Sequence, residues 1–196
     1  MPNKTYTTRW LEEDGYRSNW LVRNEKLLEL FDLKERKPNQ SYHFIEYGCG
    51  PNSPFSQVSR KNTNDIVHQY DLKSWNNETR IIDLNNVEAF PTANVSVFSG
   101  VLEYLNDVES ILFRAMLASD YLLLSYHFVP QLTLNDDSLY LKQVHSRVSD
   151  GARNHYCPRE IISITSKIGV ISAIDIWVLG KTNHLLLLLR NFKLDK

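Results

Sequence analysis

The spacing of apolar residues changes once along the chain. Between residues 18 and 31, in SNWLVRNEKLLELF, Trp20, Leu21, Leu27, Leu28 and Phe31 recur at the spacing of one helix face, with Ser18 placed to cap it. The polar stretch DLKERKPNQS then ends the helix, because Pro38 has no amide hydrogen with which to continue it. From residue 42 onward, short apolar runs alternate with helical or turn segments. YHFIEY (42–47) predicts a strand, followed by a glycine turn and a short helix from about residue 53 to 60. Ser53 can cap that helix, and Pro54 at its first position gives up an amide that would be unpaired anyway. DIVHQY (65–70), RIID (80–83), NVSVFS (94–99) and DYLLLSY (120–126) predict four more strands. The last of these is apolar without alternation, as expected when helices cover both faces. A helix is predicted over 107–118, with Asp107 as its cap and Val108, Ile111, Leu112, Ala115 and Met116 as its inner face. Another is predicted over 158–167, with Pro158 near its start. VISAIDIWVL and HLLLLLRNF, joined by the turn signal GKTN (180–183), form an antiparallel hairpin.

This order predicts an α/β chain with a mainly parallel, seven-stranded sheet and an antiparallel C-terminal edge hairpin. The 196 residues suit one domain, 1–196. Within it, residues 1–38 form an N-terminal helical cover. Residues 127–157 are the longest stretch between sheet elements, with a short helix in DSLYLKQVHSRV, and are expected to cover a ligand. A net charge of −1, from 22 basic against 23 acidic residues, removes the phosphate attraction that general nucleic-acid binding needs. The two cysteines, Cys49 and Cys157, have no neighbours at metal-ligand spacing, so no metal site and no disulfide framework is expected. A reducing cytoplasmic location follows. MPNKTYTTRW lacks a signal-peptide core, and no apolar run approaches the ~18 residues of a membrane span. LLLLL at 185–189 reads as a buried strand. Oligomeric state is not legible.

Candidate chemistry centres on FIEYGCGPN (44–52). In an open parallel sheet, ligands sit beyond the carboxyl ends of the strands, near the point where strand order reverses, and the first strand abuts that point. Gly48 and Gly50 permit a tight turn and close approach of a ligand. From Gly48 the sequence GCGPNS puts Ser53 where a dinucleotide fingerprint has its third glycine, which disfavours a pyrophosphate. Asp71 stands about 21 residues past Gly50, at the end of the second strand, where a ribose diol is read.

The series FIEYGCGPNSPF, HQYDLK, IIDLNN and VSVFSGVLEYLND resembles the class I S-adenosylmethionine-dependent methyltransferases, from about residue 42 to the end. The resemblance implies a three-layer, Rossmann-like fold and S-adenosylmethionine as cofactor, with S-adenosylhomocysteine as product. Glu46, Gly48 and Gly50 match the family's acid-x-Gly-x-Gly turn, with Cys49 inside it. Asn52 stands where many members have a further glycine. Asp71, followed by Leu72, matches the ribose-binding acid; Asp83 and Leu84 match the pair near the adenine. Ser99, Gly100 and Tyr104 lie in the segment that lines the cofactor, with Tyr104 replacing a histidine often found there. No (N/D)PP(Y/F) segment follows the fourth strand, which argues against the amino-methylating subfamily acting on nucleobases and glutamine. The absence of a large inserted domain points to a small-molecule acceptor, with methylation of a hydroxyl on a sugar or other metabolite. His127 and His155 are candidate general bases, and each also reads as a histidine tied to the backbone or a helix entry. Tyr126 and Tyr156 either shape the acceptor pocket or pack in the core. Two other readings share the sheet: a non-catalytic binding or scaffold protein, and a nicotinamide-dependent oxidoreductase, which Ser53 disfavours.

Overall fold

The computed structural model describes residues 18–60, 64–129, 137–179 and 182–195. Strands β1 (His43–Tyr47), β2 (Ile66–Asp71), β3 (Thr79–Ile81), β4 (Ala93–Ser99), β5 (Ser119–Phe128), β6 (Val170–Leu179) and β7 (Thr182–Arg190) form one sheet. Their order across it is β3-β2-β1-β4-β5-β7-β6. The first five run parallel, and β7 is antiparallel to both β5 and β6. Leu179 pairs with Thr182, so the hairpin closes through residues 180–181, which lie outside the described residues.

Alternating side chains send the two halves of each strand to different layers. Phe44, Val95, Val97, Leu123, Leu186 and Leu188 face one layer, where they meet Leu27 and Phe31 of α1 (Ser18–Lys34) and Phe55 of α2 (Pro54–Ser59). Ile45, Tyr47, Phe98, Leu122, Leu124, Leu185 and Leu187 face the other. There they meet Leu112 and Ala115 of α3 (Val108–Leu117), and Ile161 of a further helix, Pro158–Ser166. The helix at Asp137–Ser149 is α4, and Pro158–Ser166 is α5. The unbroken apolar runs of β5 and β7 are thus the strands covered on both sides. Residues 1–17 of the expected N-terminal cover, and the side chain of Ser18, lie outside the described ones.

Local signals decide most element ends. Asp107 caps α3 by accepting the Ser110 amide at 2.9 Å. Ser53 does not cap α2. Its backbone is left-handed (φ 41°) and its hydroxyl makes no cap bond. The carboxylate of Glu46 reaches across from β1 and takes the amide hydrogens of Phe55 at 2.9 Å and Ser56 at 3.1 Å. A buried acid from the sheet therefore does the capping that a serine beside the helix was expected to do. Among the described residues, no helix is long and apolar enough to cross a membrane.

Candidate functional site

Strand order reverses between β1 and β4, and a cavity opens there at the carboxyl ends of β1, β2 and β4. The turn after β1 forms its floor. Gly48 and Cys49 donate their amides to the Tyr70 carbonyl of β2, at 2.8 and 3.3 Å. Gly48 has φ +66°, and a Cβ on it would sit 2.9 Å from Val101 Cγ2. Only glycine fits. The Gly50 amide donates to Asp71 Oδ2 at 2.7 Å, and the Leu72 amide to Asp71 Oδ1 at 2.6 Å. These bonds lock Asp71 at the end of β2 with its carboxylate on the cavity wall. Burial pushes the Asp71 carboxyl up, and the two amides oppose that. Burial dominates more strongly at Glu46, which is 1% exposed. Its carboxyl rises to about 8 despite the Phe55 and Ser56 amides.

The chain after β3 makes the neighbouring wall. Asp83 Oδ1 accepts the Asn85 amide at 3.0 Å and Oδ2 accepts Asn86 Nδ2 at 2.7 Å, folding a tight turn that presents Ile82, Asp83, Leu84 and Asn85 to the cavity. Asn85 then accepts the Asn106 amide at 2.8 Å and donates to the Tyr104 carbonyl at 3.3 Å. That clips this turn to the one after β4.

The inner wall comes from β4 and from α1. Arg23 of α1 is 8% exposed; its Nε donates to Ser99 Oγ at 3.0 Å and its Nη2 to the Ser99 carbonyl at 3.1 Å. Gly100, at φ +68°, gives the guanidinium room: a Cβ there would lie 2.6 Å from Arg23 Nη1. Its amide donates to Ser125 Oγ at 2.8 Å. Trp20, one turn before Arg23 in α1, also lines the cavity.

Ten of the residues expected around a cofactor thus share one cavity: Glu46, Gly48, Gly50, Asp71, Leu72, Asp83, Leu84, Ser99, Gly100 and Tyr104. Two do not. Cys49 is 1% exposed and points into the fold, where burial pushes its thiol up to about 12. Asn52 lines a separate shallow groove with Gln57, Arg60, Asn76 and Glu78. The left-handed backbone in this turn is at Ser53 (φ 41°), not at Asn52. Arg23 and Asn85 were missed by sequence reasoning. Arg23 did leave a trace, because it lies three residues after Trp20 and four before Leu27, on the apolar stripe of α1.

Beside this cavity, at the ends of β5 and β7, lies a second group of buried polar side chains. His127 is paired across the strands with His184, their rings 5.1 Å apart. The His127 amide donates to Glu103 Oε1 at 2.5 Å. His127 and His155 are both pushed down by burial and by the Arg147 guanidinium, so both rings are neutral near pH 7 and able to accept a proton. Tyr126 is buried: it is 1% exposed, its hydroxyl donating to Asn154 Oδ1 at 2.7 Å and accepting the Tyr156 amide at 2.8 Å. Tyr156 is half-buried and packs beside it, with ring centroids 6.2 Å apart. Among the described residues, no group of three His, Cys, Asp or Glu side chains could hold a metal ion.

A seven-stranded sheet in this order, with its antiparallel C-terminal pair and a glycine turn after β1, is the class I, Rossmann-like methyltransferase fold. Solved structures with the same fold include the N-methyltransferase NodS from Bradyrhizobium japonicum WM9, in complex with S-adenosyl-l-homocysteine, at TM-score 0.66 and 11% identity over 96% of this chain and 100% of that one. The N-terminal domain of EvdMO1 with SAH bound matches at TM-score 0.61 and 11% identity, over 89% and 82% of the two chains. Magnesium protoporphyrin IX methyltransferase from Synechocystis PCC 6803 with bound SAH matches at 0.60 and 13%, over 94% and 93%. No protein-family model and no curated protein sequence matches the chain. At these identities the likeness is one of fold.

Proposed function

We propose that this chain transfers a methyl group from S-adenosylmethionine to a small-molecule acceptor, at a hydroxyl of a sugar or other metabolite. The observation that carries this reading is the single cavity at the switch point. It brings Asp71, the Asp83 turn and the Ser99–Gly100 corner to three walls around the glycine turn. The residues fit the cofactor's chemistry. Asp71, already held by two amides, keeps acceptor capacity for a ribose diol. Ile82, Leu84, Val101 and Leu105 offer apolar walls beside Asp83 for a flat base. Arg23 supplies a cation for a carboxylate at the inner end, where Gly100 allows close approach. The structural neighbours crystallised with SAH support the same cofactor, and the EvdMO1 domain was also crystallised in the presence of SAH and D-fucose.

Once bound, the cofactor supplies a sulfonium methyl already activated for in-line displacement. The chain's own task is then to position, and positioning can contribute ~7–11 kcal/mol in favourable cases. His127 and His155, neutral near pH 7, are the side chains available to receive the hydroxyl proton. Of the stretch 127–157, residues 130–136 lie outside the described ones, and α4 covers the acceptor.

Calorimetric titration with S-adenosylmethionine, S-adenosylhomocysteine and NAD tests the reading. Both adenosyl ligands should bind, and at 100 times its dissociation constant each should stabilise the fold by about 2.7 kcal/mol. Binding of NAD alone would overturn the methyltransferase reading. Binding of none would leave the fold as a scaffold.

A further inference from the structure

The polar group at the ends of β5 and β7 is incompletely paired. Arg147, from α4, is 7% exposed, and it has no ion pair among the described residues. Its one hydrogen bond, from Nη2 to Tyr126 Oη, is long at 3.5 Å, and the guanidinium otherwise rests over the Tyr126 ring at 5.6 Å. That hydroxyl is already engaged with Asn154 and Tyr156. Arg147 Nη1 is buried and has no hydrogen-bond partner. A buried guanidinium left this way is expensive, since no carboxylate among the described residues offsets its lost hydration. Glu103, in the turn Leu102–Tyr104, is 5% exposed; its Oε1 is used by the His127 amide and its Oε2 has no partner. His184 Nδ1, on β7, is likewise buried and unpartnered. Burial, with Arg23, His127 and Arg147 nearby, pushes the His184 ring down to about 2, so it stays neutral beside the guanidinium.

These groups adjoin the cofactor cavity. Val101, Tyr104 and Leu105, on either side of Glu103, line it, and Arg23 of the same cavity acts electrostatically on His127 and His184. We infer that this cluster is the acceptor subsite and that the acceptor is a small hydroxy acid. Its carboxylate or phosphate pairs with Arg147 Nη1. The inference rests on the methyl-transfer reading for the word acceptor, but the anion site itself stands on Arg147. A guanidinium whose cost is met only by a ligand is a common way to place specificity at a site. A neutral sugar would leave Nη1 as it is.

Saturating wild-type protein with S-adenosylhomocysteine and titrating matched probes tests it: salicylate against salicylamide, lactate against lactamide, and inorganic phosphate at millimolar concentration. At least one anion should bind and its neutral counterpart should not. Arg147→Gln should weaken that anion roughly 10- to 100-fold, while S-adenosylhomocysteine binds as before. Arg147→Lys should keep the preference for anions at reduced affinity. Without ligand, Arg147→Gln should melt at or above the wild-type temperature, whereas a purely structural arginine would lower it. Neutral probes binding as well as anions, no anion binding at all, or anion affinity unchanged in Arg147→Gln would each overturn the inference. Failure of S-adenosylhomocysteine to bind wild type would remove the methyl-transfer reading alone, because the anion titrations can be read on the ligand-free protein.

Discussion

Replacing Glu46 with glutamine tests whether burial or helix capping governs the carboxyl that anchors the glycine turn to α2. The amides of Phe55 and Ser56 favour its anion, as donors at a helix start do. Loss of water around a side chain 1% exposed favours the neutral acid, and burial prevails, lifting the group from 4.5 to about 8. Between those two values the folded protein holds a proton that the unfolded chain has released. The folded state then binds more protons than the unfolded one, so stability falls as pH rises, by about 1.4 kcal/mol per pH unit. Across the window the fall approaches about 4–5 kcal/mol, a large part of a small domain's whole margin. Glutamine cannot titrate. Its oxygen keeps one amide, while its NH₂ faces the other and leaves a buried donor unmet, at a cost of ~1–3 kcal/mol. Glu46→Gln should therefore be the less stable protein at about pH 5, lose the fall, and cross the wild-type curve before about pH 8. Urea unfolding followed by tryptophan fluorescence at stepped pH reads both curves. Parallel curves would refute the dominance of burial. A wild type that gains on the variant as pH rises would show that capping governs instead.

Three further outcomes follow from the same geometry. Asp71→Ala should weaken S-adenosylhomocysteine roughly 10- to 100-fold by calorimetry; unchanged affinity would show the ribose is held elsewhere. Ser53→Gly should stabilise the fold by about 0.5–1.5 kcal/mol in chemical denaturation, because it relieves a left-handed serine whose hydroxyl is buried without a partner. A loss of stability would mean that the hydroxyl has a role the backbone angle conceals. Of His127→Ala and His155→Ala, the one that removes the proton acceptor should lose about 100- to 10,000-fold in turnover while S-adenosylhomocysteine still binds. Full activity in both would exclude a histidine base.

The sheet was legible because its strands obey local rules. Phe44 and Ile45 alternate between layers in β1, the unbroken apolar runs predict β5 and β7 as strands covered on both faces, and GKTN leaves the last two strands no path but a hairpin. Asp71 and Asp83 were legible for a related reason: Asp71 closes β2, Asp83 stands just beyond the end of β3, and the fold puts strand ends at the switch point. Ser53 was misread because capping was sought in the adjacent residue, whereas the acid that caps α2 sits on β1 and the turn between brings it back. Such a contact has no local signature.

The charged residues that complete the two sites fail for a more general reason. Arg23 meets Ser99 across 76 positions, and Arg147 meets Tyr126 across 21. No spacing rule links such pairs, and an arginine in a helix reads first as solvated surface. What distinguishes both is phase. Arg23 falls between Trp20 and Leu27 on the buried stripe of α1, and Arg147 follows Tyr140 and Val144 at the same spacing on α4. A long cation in phase with an apolar stripe must either extend its stem to water or be met inside. Arg23 is met by Ser99, in the cavity read as the cofactor's. Arg147 is met among the described residues by the Tyr126 hydroxyl and ring alone, with Nη1 unpartnered, and that difference separates a group that belongs to the fold's own bonding from one that awaits a ligand.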